Sequence, residues 1–218
     1  MKRAIGGVLL LLIMMMPLSV QAAEQASERP HWSLELKGGI FIPGIDNWST
    51  YYGRRDILEF GGSLAYKILR QIEVGVEGTY IKDKGQGYAP IHNMAAGNVT
   101  YELAPLNVFI LARGVISDNQ WLIPYAGGGW TRMYYREEVQ YQGIVRGSTD
   151  GTHARAGLQI VLDSADARAA GNLYKDYGIF HTSLFFETRY TRAMITDLAG
   201  SSVNLGRTSY LMGLLFEF

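Results

Sequence analysis

The chain has 218 residues, carries 20 Lys plus Arg against 20 Asp plus Glu, and contains no Cys. Balanced charge leaves no basic surplus for nucleic acid, and the missing Cys excludes disulfides and thiolate metal sites. Gly at 26 and aromatics at 12% favour strands and turns over helices.

At the amino end, Lys2 and Arg3 precede an apolar run from Ile5 to Leu18, followed by Val20-Gln21-Ala22. A positive start, a short apolar core and small residues at the cut predict a signal peptide over 1–22, cleaved after Ala22. The run falls short of the roughly 20 apolar residues that a spanning helix needs.

Alternation with a period of two recurs from Trp32 onward. The first strand sets Trp32, Leu34, Leu36 and Ile40 against Ser33, Glu35, Lys37 and Gly39. The second sets Leu58, Phe60, Leu64 and Tyr66 against Glu59, Gly61, Ser63, Ala65 and Lys67. The third sets Val74, Val76 and Tyr80 against Glu73, Gly75, Glu77 and Thr79. The short turn Leu69-Arg70-Gln71 pairs Lys67 with Glu73, Ala65 with Gly75 and Ser63 with Glu77, all on one face. A fourth strand spans Val99 to Ala112, and the slip around Pro105 predicts a bulge. The fifth, Trp121 to Arg136, puts Tyr125, Met133 and Tyr135 opposite Trp130, Arg132 and Arg136. The sixth and seventh carry Arg155, Gly157 and Gln159, then Glu187 and Arg189, between apolar neighbours. The eighth ends the chain.

Eight strands of about ten residues match the length of a tilted strand crossing a membrane; a count of ten is the alternative. The connections 42–55, 82–98, 137–152 and 191–208 are long and polar, whereas 69–71 and 113–120 are short. The connection 163–178 breaks this asymmetry, and Ser164 to Ala170 predicts a short helix over 164–171. The expected organisation is a short periplasmic segment over 23–31 and one β-barrel over 32–218.

Alternation alone does not say which face points out, but three features place the polar face inside. It is crowded with small residues (Gly39, Gly61, Ser63, Ala65, Gly75, Ala126, Gly128, Gly157 and Gly213), which suits a narrow lumen. It holds Glu35, Glu59, Glu73, Glu77, Glu187 and Glu217 against Lys37, Lys67, Arg132, Arg136, Arg155 and Arg189, and matched signs are what a confined space requires. Aromatics such as Trp32, Tyr66, Tyr80, Tyr101, Trp121, Tyr125, Tyr135, Tyr190 and Tyr210 sit toward strand ends, as interfacial girdles would.

The carboxyl end reads Gly213-Leu214-Leu215-Phe216-Glu217-Phe218. It resembles the terminal signal of bacterial outer-membrane barrels, with Gly213, Phe216 and Phe218 as the marks that the barrel assembly machinery reads. Residues 184–190 and 121–129 also resemble strands of the small OmpA/OmpW-like barrels of Gram-negative bacteria. The resemblance implies an all-β, eight-stranded antiparallel transmembrane barrel in the cell outer membrane. Implied partners are membrane lipid and lipopolysaccharide, with the assembly machinery and periplasmic chaperones during biogenesis. A monomer without cofactor, metal or nucleic-acid partner is expected.

The four His (His31, His92, His153 and His181) show no metal-ligand spacing. His181-Thr182-Ser183 resembles the His-x-Ser of outer-membrane lipid A deacylases, but Leu184 replaces the Asn that follows Ser in that family. The candidate site is therefore a lumen ion-pair network of Glu35, Lys37, Glu59, Lys67, Glu73, Glu77, Arg132, Arg155, Glu187 and Arg189. Arg132, Arg155, Glu187 and Arg189 are expected to form one cluster, and Lys67 with Glu73 another. The leading expectation is a non-enzymatic structural or surface-interaction barrel with a largely closed lumen. The alternatives are a passive channel for small or apolar solutes, as in OmpW-like barrels, and a lipid A-modifying enzyme.

Overall fold

Residues 29–45, 48–89, 94–117, 120–140, 143–196, 200 and 202–218 are described by the structure, a computed structural model. The segment 1–22 and most of 23–31 lie outside the described residues. The elements are β1 (Trp32–Pro43), α1 (Trp48–Tyr52), β2 (Ile57–Lys67), β3 (Ile72–Ala89), β4 (Met94–Arg113), β5 (Leu122–Val139), β6 (Gly143–Val161), α2 (Ala167–Tyr177), β7 (His181–Thr196), β8 (Ser202–Asn204) and β9 (Arg207–Glu217). Strands run antiparallel in the order β6-β5-β4-β3-β2-β1-β9-β7, and β6 also pairs with β7. Eight strands thus close into a barrel whose wall has no open edge. The three-residue β8 is a ninth strand outside the ring, paired to the end of β7.

Sequence dictates this register locally. The tight turn after Lys67 sets Lys67 opposite Glu73, Ala65 opposite Gly75 and Ser63 opposite Glu77. The ends of β1 and β9 meet at the rim that carries the termini, where Phe218 N–H donates to Trp32 O at 2.8 Å. Outward-facing Leu36, Phe60, Val76, Ile110, Phe186 and Met212 are 45–59% exposed, while inward-facing Glu35, Glu59, Glu77, Arg155, Glu187 and Arg189 are at most 4% exposed. A barrel surrounded by water has the opposite polarity; this wall suits an apolar solvent, where every backbone group must pair within the wall.

Several expectations are corrected. No bulge occurs at Pro105, because the β3–β4 pairing keeps one register from Ile72 to Gln86; the shift lies between Gln86 and Tyr88. Pro105 simply points inward within that register. The connections read as 82–98 and 137–152 are largely strand: β3 and β4 run on to Ala89 and from Met94, and β5 and β6 to Val139 and from Gly143. Beyond the apolar belt both faces meet water, so alternation fades although the backbone ladder continues. The helix runs over Ala167–Tyr177 rather than 164–171. Asp166 caps it by accepting from the Arg168 and Ala169 N–H groups, and Gly178 ends it in the left-handed conformation.

The faces of β5 are also corrected. Arg132, Arg136, Ala126 and Gly128 lie on the outward face, while Tyr125, Gly127, Gly129, Thr131 and Met133 face the lumen. The rule that apolar means outward fails here because Tyr125 and Met133 fill the barrel interior. Tyr101 and Tyr135 likewise pack inside and belong to no outer girdle.

The lumen is narrow enough that one Cβ matters. At Gly157 a Cβ would meet Phe186 O at 2.3 Å and the Tyr125 hydroxyl at 2.6 Å, whereas at Gly171 in α2 it would meet nothing within 4 Å. Gly157→Val is expected to abolish the fast-migrating folded band of unboiled protein on a gel. Gly171→Ala is expected to retain it and to stabilise α2 by up to about 1 kcal/mol, read by urea midpoint.

Candidate functional site

Three layers fill the lumen. Nearest the terminal rim, Lys67 pairs with Glu217 at 2.6 Å. Arg113 pairs with Glu73 at 2.8 Å and also bonds Gln159, whose amide donates to Ser183 Oγ at 3.0 Å. Ala65, Phe109, Leu111, Tyr125, Phe185 and Leu215 pack as an apolar cluster of inward-facing side chains.

At mid-height the charges interlock. Arg155 reaches Glu35 at 2.9 Å, Glu187 at 2.6 Å and Glu77 at 3.3 Å. Lys37 contacts Glu35 at 2.8 Å and also pairs with Glu77. Arg189 bridges Glu77 and Glu59. Ser63, Asn107 and Tyr125 donate to Glu35, Glu77 and Glu187 at 2.7, 2.7 and 3.2 Å. The chain of polar contacts continues through Thr131 to Asn107 at 2.7 Å and to His153 Nδ1 at 2.9 Å. The guanidinium of Arg155 also lies 4.7 Å from the Phe109 ring centre. Such a web gives each of these charges an opposite partner, as buried ions require, although Glu59 Oε2, Arg155 Nε and Glu187 Oε1 are left without a hydrogen bond.

Toward the loop rim an apolar layer lies above the charges. Phe41, Trp48, Ile57, Ile81, Tyr101, Leu103, Met133, Ala193 and Leu205 cluster there. The five-residue α1 inserts Trp48, which stacks on Tyr52 at 3.8 Å and meets Tyr101 edge-on at 5.0 Å. Arg54, just after α1, is tied to Asp83 of β3. Tyr52 donates to Glu137 at 3.3 Å; burial and that carboxylate push its phenol well above the ordinary value, so it stays a donor.

Nine of the ten residues read as a network point inward: Glu35, Lys37, Glu59, Lys67, Glu73, Glu77, Arg155, Glu187 and Arg189. Arg132 does not. Its side chain is 43% exposed, lies 3.8 Å from Asp150 and sits over the Tyr134 ring at 5.9 Å. Lys67 and Glu73 are cross-strand neighbours in register, yet each takes another partner, Glu217 and Arg113. Arg113 was missed because it closes β4 where the sequence reads as a turn; its odd-numbered parity with Asn107, Phe109 and Leu111 is the signal that finds it. His181 and Ser183 are separately engaged, His181 Nδ1 with Asp163 at 2.6 Å and Ser183 with Gln159. Of the terminal motif, Gly213 lies so close to β1 that a Cβ would meet Leu36 O at 2.0 Å, and Phe216 stands opposite Leu34.

Removing one inward cation strands several carboxylates. Arg155→Met is expected to cost about 3–5 kcal/mol of folding stability, and Arg132→Ala no more than about 0.5 kcal/mol, both measured by urea unfolding in lipid vesicles.

No family model matches the chain, and no curated protein matches it. Among solved structures, outer membrane protein OprG from Pseudomonas aeruginosa is similar with a TM-score of 0.56 at 10% identity, covering 89% of this chain and 99% of that one. Neisserial surface protein A (NspA) is similar with a TM-score of 0.53 at 11% identity, covering 86% of this chain and 97% of that one. Identity this low speaks to fold alone, and the fold agrees with the polarity of the wall. The chain has the fold of the small outer-membrane barrels: an eight-stranded antiparallel transmembrane β-barrel, with the long hairpins at one rim and, at the rim that carries the termini, two short turns and the α2 connection.

Proposed function

We infer that this protein resides in the outer membrane as a closed barrel with a structural or surface-interaction role, rather than as a conduit. The observation that carries this reading is the filling of the lumen. A continuous stack of ion pairs centred on Arg155 lies beneath an apolar plug of Phe41, Trp48, Ile57, Tyr101 and Leu103. An eight-stranded barrel is only just wide enough for its own side chains, and here they occupy it with charge partnered to charge. An ion entering this lumen must break several short contacts at once and cross an apolar layer. A closed lumen leaves the outward surfaces to carry any activity. The hairpins β3–β4 and β5–β6, built from strands of 18–20 residues against 11 or 12 in β1, β2 and β9, offer such a surface.

Planar-bilayer recording tests the reading. Wild type and Glu187→Ala are both expected to give near-zero conductance, because the other ion pairs and the plug remain. Stable conductance steps in the wild type would reject the closed barrel and favour the channel.

A further inference from the structure

At the rim that carries the termini, the connection from β6 to β7 folds as α2. It is capped at both ends, yet none of its 11 residues is buried. A helix this short is marginal in water unless one face packs against something apolar, and Gly171 weakens it further. Ala170, Leu173, Tyr174 and Tyr177 recur at i, i+3, i+4 and i+7, one face of the helix, while Arg168, Asn172 and Lys175 lie opposite. Ala170 and Leu173 are half-buried, whereas Tyr174 and Tyr177 are 42% and 72% exposed.

The anchors of α2 set where this face lies. The chain leaves β6 through Leu162, which shares the outward parity of Leu158, and enters β7 through Phe180, which shares that of Phe186. Leu162 N–H donates to Thr182 O at 2.9 Å, and Phe180 N–H to Glu217 O at 2.7 Å, so both ends are fixed to the wall. The Tyr174 ring meets Phe180 edge-on at 4.9 Å. The apolar face of α2 thus begins where the lipid-facing wall ends. Trp32 and Trp121, exposed at the same rim, are of the type that favours a membrane–water boundary.

Size and charge select the occupant. An 11-residue helix is about 17 Å long and about 10 Å wide. Its footprint of roughly 170 Å² falls far short of the roughly 800 Å² per partner of a stable protein interface. A second copy or a soluble partner gripped by α2 alone would therefore dissociate. A lipid surface needs no such area, because the barrel already holds the helix beside it. Arg168 and Lys175 are balanced by Asp166 and Asp176, so the contact depends on apolar area rather than on net charge.

We propose that α2 is an interfacial anchor lying along the phospholipid surface at the rim that carries the termini. Leu173, Tyr174 and Tyr177 enter the headgroup–acyl boundary, and Arg168 and Lys175 face water. This anchoring rests on the lipid-facing wall and extends it to a segment outside the eight strands. It fixes how deep the barrel sits.

The chain contains no Cys, so single Cys variants each take one nitroxide label. Tyr177→Cys, Lys175→Cys and Met212→Cys are refolded as full barrels into phosphatidylcholine vesicles. Collisions with oxygen and with a water-soluble nickel chelate are read by power-saturation electron paramagnetic resonance. The oxygen-to-nickel collision ratio is expected to be severalfold higher at 177 than at 175, and unchanged by added salt. Adding Leu173→Glu is expected to bring 177 down to the value at 175 while the gel shift of unboiled protein persists, since α2 lies outside the ring. Equal ratios at 177 and 175 without that substitution, or a ratio at 177 indifferent to it, would overturn the anchor. So would spin–spin broadening at 177 that vanishes on dilution with unlabelled barrel, which would assign the face to a second copy. A lipid-like ratio at 212 with a water-like one at 177 condemns the anchor alone; a water-like ratio at 212 condemns the wall itself.

Discussion

The constraint on which the rest of this molecule depends is ionised side chains buried inside a narrow barrel. A wall of eight strands leaves an interior filled by side chains, and its outward face carries apolar residues around the belt. Each inward ion must then find its counter-ion within the barrel, since an unpaired one would be several kcal/mol too expensive. Arg155 meets this constraint most economically, reaching Glu35, Glu77 and Glu187 from strands on different sides of the ring. The acids are contributed by β1, β2, β3, β7 and β9 and the bases by β1, β2, β4, β6 and β7. The network therefore cross-ties the wall as well as filling it.

The same constraint shapes the two ends differently. At the rim that carries the termini the inward contacts are polar, the partly exposed Lys67 with Glu217 and the buried Arg113 with Glu73. At the opposite rim the inward layer is apolar, with Trp48 of α1 packed into it. An inward apolar layer there explains why Tyr101, Leu103 and Met133 face the lumen although the surrounding medium at mid-height is itself apolar. Above this plug the barrel becomes lopsided, because β3 to β6 continue while β1, β2 and β9 stop. The protruding sheet meets water on both faces, and among the described residues no strand pairs with the far side of β6 over residues 143–148.

Much of the fold was legible. In β1, β2, β3, β6, β7 and β9 the inward and outward sets alternate cleanly, so eight strands, the β2–β3 register and nine inward ionisable residues followed from parity. The failures have one cause. Hydrophobicity marks the outward face only where the lumen is polar; in β5, where Tyr125 and Met133 fill the interior, the same pattern assigned Arg132 and Arg136 to the wrong side. Parity counted from the β4 pairing, Asn107 opposite Thr131, would have corrected it. Arg113 was hidden by its position at a strand end, and the extension of β3 to β6 by the loss of alternation in water. The actual pairings, such as Lys67 with Glu217 instead of Glu73, depend on ring closure between β1 and β9, which no local pattern encodes.

The central claim is the polarity of the wall, and adjacent identical residues test it directly. Phe185 is 1% exposed and Phe186 is 45% exposed. With fluorinated phenylalanine at each position and oxygen dissolved in a lipid bilayer, the fluorine resonance of Phe186 should show the large paramagnetic shift of a group among acyl chains, and that of Phe185 a small one. Equal shifts, or a larger one at Phe185, would contradict the account.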